Sequence, residues 1–165
     1  HGQTISQPYI VAFMTELLLL RGDERVLEIG TGSAYQAAVL SLLCKEVYTI
    51  EFLEQLCEEA RERLKRLGYR NVYVRCGDGY FGWKEAAPFD AVIITCGTPY
   101  IPSPIIEQTK EGGRIVAPLG SPPGDLVLTR FTKTQKGLKR ETFGGVLFVP
   151  MRGKVEQAPS DRSEQ

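Results

Sequence analysis

Apolar residues along this chain recur at two alternating periods. Ile10, Val11, Phe13, Met14, Leu17, Leu18 and Leu20 fall at helical spacing over Tyr9 to Leu20, with Ser6 placed to cap that helix and Pro8 in its first turn. Val26-Leu27-Glu28-Ile29 then reads as a short buried strand. Gly30-Thr31-Gly32-Ser33 follows at once and leads into a second helical stripe of Ala34, Ala37, Ala38, Leu40, Leu42 and Leu43. Val47 to Ile50 is the second strand, closed by Glu51. Leu53, Leu56, Cys57, Ala60, Leu64 and Leu67 form one stripe of a helix that Gly68 stops, and Glu59 with Arg63 and Glu62 with Arg66 are spaced for ion pairs on its outer face. Asn71 to Cys76 is the third strand, Phe89 to Thr95 the fourth and Gly112 to Pro118 the fifth, with a short helix expected around Ile105 to Thr109. Asp125 to Thr132 and Leu138 to Val149 read as an antiparallel pair turning near Gln135-Lys136-Gly137, and Val155 to Gln165 as a disordered polar tail. One domain over 1–154 is expected.

Strand and helix alternate through the first five strands. That order predicts an α/β fold: an open, mostly parallel sheet with helices on both faces and an antiparallel C-terminal strand pair. Ligands of such sheets lie at the carboxyl ends of the strands, where the turns at Gly30 to Ser33, Glu51, Gly77 to Gly79 and Thr95 to Gly97 converge. Gly30 and Gly32 let the backbone turn tightly beside a ligand. The dinucleotide fingerprint needs a third glycine where Tyr35 stands, which disfavours a nicotinamide enzyme. Glu28, two places before the first glycine, would repel a pyrophosphate and suits a cationic amino group. S-adenosyl-L-methionine meets that demand, and Glu51 lies where an acidic residue grips ribose hydroxyls. Asp78 could accept from an adenine amino group, although an Asp between glycines more often bonds its own turn.

Charge narrows the partners. The 165 residues carry 20 basic and 20 acidic side chains with no block of one sign, so neither nucleic acid nor a membrane surface is expected as a partner. Cys44, Cys57, Cys76 and Cys96 are widely spaced, with no C-x-x-C, which reads as a reduced cytoplasmic chain. The one histidine is His1, so His-based triads are excluded and no metal site is expected.

Gln3-Thr4-Ile5-Ser6-Gln7-Pro8, Val26 to Ser33, Gly77-Asp78-Gly79, Pro102 with Gly112-Gly113-Arg114, and Phe148-Val149-Pro150 together resemble the protein-L-isoaspartate O-methyltransferase family. The glycine turn is common to many methyltransferases, whereas the Thr-Ile-Ser and Phe-Val-Pro segments are far more specific. The resemblance implies a Rossmann-like methyltransferase sheet. It also implies a monomer that methylates the stray carboxylate of L-isoaspartyl, and more weakly D-aspartyl, residues in damaged proteins. S-adenosyl-L-homocysteine is the second product, and the ester collapses to a succinimide whose hydrolysis returns some aspartate. By position, Ser6 matches the active-site serine, Thr4 its neighbour near the substrate carboxylate, and Val149 the residue meeting the substrate backbone. Gln7 and Tyr9 fall in the stretch that folds over the cofactor's methionine end, and Leu53 touches the adenine side. With Glu28, Gly30, Thr31, Gly32, Ser33, Glu51, Asp78 and Gly79 these make the expected cofactor site.

Members usually carry a helical segment before the Gln-Thr-Ile-Ser motif; this sequence opens at His1-Gly2, so that segment is expected to be missing from it. A non-catalytic cofactor-binding core and an aspartyl carboxyl methyltransferase acting on a modified peptide are the alternatives.

Overall fold

The chain's β-branched runs assemble into one seven-stranded sheet, seen in a computed structural model that describes residues 8–121 and 125–157. The parallel part consists of β1 (Arg25–Ile29), β2 (Glu46–Glu51), β3 (Val72–Cys76), β4 (Phe89–Ile94) and β5 (Thr109–Leu119). Two further strands, β6 (Leu126–Thr134) and β7 (Gly137–Val146), add antiparallel to β5 and to each other, as expected. Their order is β3-β2-β1-β4-β5-β6-β7. The chain moves one way from β1 and returns to its other side with β4, which opens a crevice at the carboxyl ends of these two strands.

Pleating sorts the side chains into two layers. Val26, Ala91, Ile93, Val116 and Leu128 meet α1 (Pro8–Leu17) and α2 (Tyr35–Ser41), and Val72 and Val74 meet Ala60 and Leu64 of α3 (Glu54–Arg66). On the opposite face Leu27, Val92, Ile115 and Phe131 pack with Ile105 of α4 (Ser103–Gln108) and with Met151 and Val155. Phe89 and Phe131 are fully buried there, each contributing about 1.5–3 kcal/mol of apolar burial.

Four expectations change. The first helix ends at Leu17 rather than Leu20, because Leu19 turns into the left-handed region at φ 53°. Its last carbonyls gain a donor from across the sheet: Arg130 Nη1 donates to Leu17 O at 3.1 Å while the same guanidinium holds Glu141. Thr109 opens β5 instead of ending a helix. Val155, placed by its polar neighbours in a disordered tail, is 3% exposed inside a 3-10 turn over Lys154–Glu156. The cysteines are not all reduced: Cys57 and Cys76 form a disulfide because α3 lies directly against β3, while Cys44 and Cys96 are free and buried. Among the described residues no helix is long and apolar enough to cross a membrane.

Candidate cofactor and substrate cleft

The turn after β1 is built by backbone needs that few residue types meet. Gly30 has φ 98°, and a β-carbon there would stand 2.8 Å from Thr95 Oγ1. That hydroxyl donates to Gly30 O at 2.6 Å, and Gly30 N donates to Ile50 O, so the turn is stitched to β2 and to the end of β4. Gly32 has φ 52° but faces open space on the cleft side. Gly30 is thus demanded by the fold and Gly32 leaves room for a ligand. Ala34 sits at φ 72° and ψ 5° without being glycine, and it is buried against Ala60 and Leu64. Ala34→Gly should be near neutral, since relief of left-handed strain offsets the lost methyl. Ala34→Val should cost about 2–4 kcal/mol by urea unfolding, because a β-branched residue resists this conformation and overfills the pocket.

A cleft of about 260 Å³ opens above this turn. Gly30, Thr31, Gly32, Ser33, Glu51, Leu53, Gly79 and Val149 all line it, so the structure gathers eight of the expected site residues into one place. Glu51 holds two of its walls together. Its Oε1 accepts from Gly32 N at 2.8 Å and its Oε2 from Leu53 N at 3.0 Å, fixing the glycine turn to the start of α3. Gly79 packs so closely on Ile29 that a β-carbon would lie 2.3 Å from Ile29 Cγ2. Across the cleft the chain at Val149 to Met151 is held by Gly97, whose N donates to Val149 O and whose O accepts from Met151 N, both at 2.7 Å.

Three expected residues stand elsewhere. Glu28 is fully buried and does not line the cleft. Strand alternation aims it beside Thr49, whose hydroxyl donates to Glu28 Oε1 at 2.7 Å. Having spent its proton, Thr49 receives the 2.6 Å contact from Thr31, so a hydroxyl relay runs from the cleft floor to Glu28. Glu28 Oε2 has no partner among the described residues. Burial pushes this carboxyl up to about 8; the Thr49 bond pulls the other way, and the nearby Glu51 charge adds to the rise. Asp78 is turned away from the cleft, with Oδ1 accepting from Tyr80 N at 2.9 Å and Oδ2 from Lys154 N at 2.8 Å. Tyr9 is 73% exposed and stacks on Phe13. Thr4, Ser6 and Gln7 lie outside the described residues.

Several lining residues carried no sequence signal. Gln36 falls between the apolar positions of its helix and has no motif around it, and the spacing of Arg63 points to an ion pair with Glu59. Instead Arg63 Nη1 donates to Ser33 O at 2.6 Å. Arg152 and Cys96 complete the wall, and burial raises the Cys96 thiol well above its ordinary range, so it is neutral. The acceptor set suits a cofactor with an amino group, a ribose and an adenine: the buried Gln36 Oε1, without a partner among the described residues, the backbone-braced Glu51 carboxylate, and apolar Ile50, Leu53 and Leu56.

Comparison with known proteins agrees with this geometry. Residues 1–156 match the family model described as protein-L-isoaspartate(D-aspartate) O-methyltransferase. A protein of Shewanella sediminis named protein-L-isoaspartate O-methyltransferase 2 is 58% identical over 152 residues, covering 92% of this chain and 62% of that protein. A protein-L-isoaspartate O-methyltransferase of Dictyoglomus turgidum is 55% identical over 153 residues, covering 93% of this chain and 69% of the relative. One solved structure titled protein-L-isoaspartate O-methyltransferase superposes with a TM-score of 0.88 at 32% identity, covering 94% of this chain and 51% of that one. A Plasmodium falciparum structure, titled as a putative member in complex with S-adenosyl-L-homocysteine, shares the fold with a TM-score of 0.78 at 22% identity and covers 92% of this chain and 77% of its own. The chain therefore spans about half to three quarters of the length of these proteins.

Proposed function

The chain belongs to the protein-L-isoaspartate(D-aspartate) O-methyltransferase family, and from that premise we propose that it methylates the side carboxylate of L-isoaspartyl, and more weakly D-aspartyl, residues in damaged proteins. The observation that carries the reading is the cleft itself, in which the glycine turn, the braced Glu51 and the Val149 segment face one another. Bound there, S-adenosyl-L-methionine would supply a methyl group already activated by its sulfonium, leaving S-adenosyl-L-homocysteine. Glu51 would hold the ribose with lone pairs left over from its two backbone bonds. Leu53 and Leu56 would cover the adenine, and Gly32 would admit the ligand close to the backbone.

The acceptor carboxyl has an ordinary pKa near 4, so it reaches the site as an anion and no residue need remove a proton from it. That requirement matches a chain whose one histidine is His1. What remains for the protein is alignment of two reacting groups. By family position, Ser6 and Thr4 would hold the carboxylate through their hydroxyls, Val149 would meet the peptide backbone, and Gln7 and Tyr9 would close over the methionine end. We also propose that it acts as a monomer in the cytoplasm and without nucleic acid; the even balance of 20 basic and 20 acidic side chains supports the last of these.

The repair itself is the test. An isoaspartyl peptide incubated with the protein and S-adenosyl-L-methionine should lose isoaspartyl content on chromatography, passing through a succinimide and gaining the aspartyl form. Unchanged isoaspartyl content with the cofactor consumed would point to another carboxyl acceptor, and no consumption despite cofactor binding to a non-catalytic core.

A further inference from the structure

Gln36 is the second residue of α2 and lines the cleft, yet it is only 7% exposed. Its orientation is fixed from behind by α1. Thr15 Oγ1 donates its single proton to Val11 O at 2.8 Å, so toward Gln36 it can only accept, and Gln36 Nε2 donates to it at 2.9 Å. The amide oxygen must then point the other way. Gln36 Oε1 is buried and has no partner among the described residues, an arrangement that costs free energy unless a ligand supplies a donor.

Resting on the cofactor reading above, we propose that Gln36 is a cofactor-binding residue whose Oε1 accepts a hydrogen bond from the α-ammonium of the S-adenosylmethionine methionine moiety. An amide oxygen is an acceptor only, so its partner must be a donor, and the cofactor offers three: the ammonium, the ribose hydroxyls and the adenine amino group. The ribose and adenine are drawn to Glu51, Leu53 and Leu56 along β2 and α3. Gln36 is instead bonded to Thr15 of α1, the helix that also brings Val11 to the cleft, which leaves it the amino-acid end. Glu28, the residue whose charge suggested ammonium binding, lies beneath the turn and outside the lining.

The test separates this contact from general damage to the cleft. Titration calorimetry with S-adenosyl-L-homocysteine and with its deamino analogue, hydrogen replacing the α-amino group, is run on wild type, Gln36→Met and Gln36→Glu. Gln36→Met should weaken S-adenosyl-L-homocysteine about ten- to a hundred-fold, the range for a hydrogen bond to a charged group, and should leave the deamino analogue within about two-fold. Gln36→Glu places a charged acceptor against the ammonium and should raise the preference for the amino form above that of wild type; if the methionine variant fails to fold, an unchanged or reduced preference in this variant overturns the proposal. Equal loss for both ligands in Gln36→Met, or no loss, overturns the proposal while leaving the cofactor reading intact. A wild type that binds neither ligand overturns both.

Discussion

Glu51→Ala is expected to weaken the fold and ligand binding together. The carboxylate accepts from Gly32 N and Leu53 N while 7% exposed, so its loss strands two backbone donors at the meeting point of β1, β2 and α3. Hydrogen bonds to a charged group contribute about 1.5–3 kcal/mol each, and water entering the truncated site recovers part of that, so urea unfolding should show a loss of about 2–4 kcal/mol. S-adenosyl-L-homocysteine affinity should fall by about a hundred-fold or more, since the ribose acceptor disappears and the glycine turn loses its brace. Glu51→Gln keeps one good acceptor and should lose about half as much stability. A stable Glu51→Ala protein with near-wild-type affinity would remove Glu51 from the site.

Stability should also depend on pH through Glu28. Its pKa is about 8 in the folded protein against an ordinary value of 4.5, raised by burial first, opposed by the Thr49 bond and reinforced by the Glu51 charge. Between those two values the folded state holds a proton that the unfolded state has released. The stabilising contribution is therefore fully present below about pH 4.5 and is lost as pH rises toward 8, by about 1.4 kcal/mol per pH unit. Glu28→Gln has the same shape and cannot ionise. Measured without ligand by urea unfolding from pH 5 to 8.5, the variant should gain steadily on the wild type and level off above pH 8. Parallel profiles would show that Glu28 ionises normally. The other ionisable groups named around it are Glu51 and the neutral Cys96 thiol, and both are retained in the variant.

Periodicity made most of the fold legible. The short apolar runs over Val26 to Ile29 and Val47 to Ile50, and the single stripe from Leu53 to Leu67, placed β1, β2 and α3 within a residue or two. The cleft residues nearest the backbone were legible as well, because Gly30, Gly32 and Gly79 signal turns and Glu51 ends a strand. What the sequence concealed depends on direction and distance. Glu28 reads as a neighbour of the glycines, but the pleat turns its side chain away from the crevice toward Thr49. Asp78 reads foremost as bonding its own turn, which it does through Tyr80 N, but nothing local signals its second bond, from a backbone amide 76 residues further along. Cys57 and Cys76 look unrelated until α3 is laid against β3. Gln36 gains meaning only when Thr15, 21 residues earlier, fixes which way its amide points.

The most direct measurement is methyl transfer from labelled S-adenosyl-L-methionine to a synthetic isoaspartyl peptide, beside its normal aspartyl twin. Base-labile label on the isoaspartyl peptide and none on the twin is the expected result. Equal labelling of both, or of neither while S-adenosyl-L-homocysteine still binds, would contradict an isoaspartyl-selective methyltransferase.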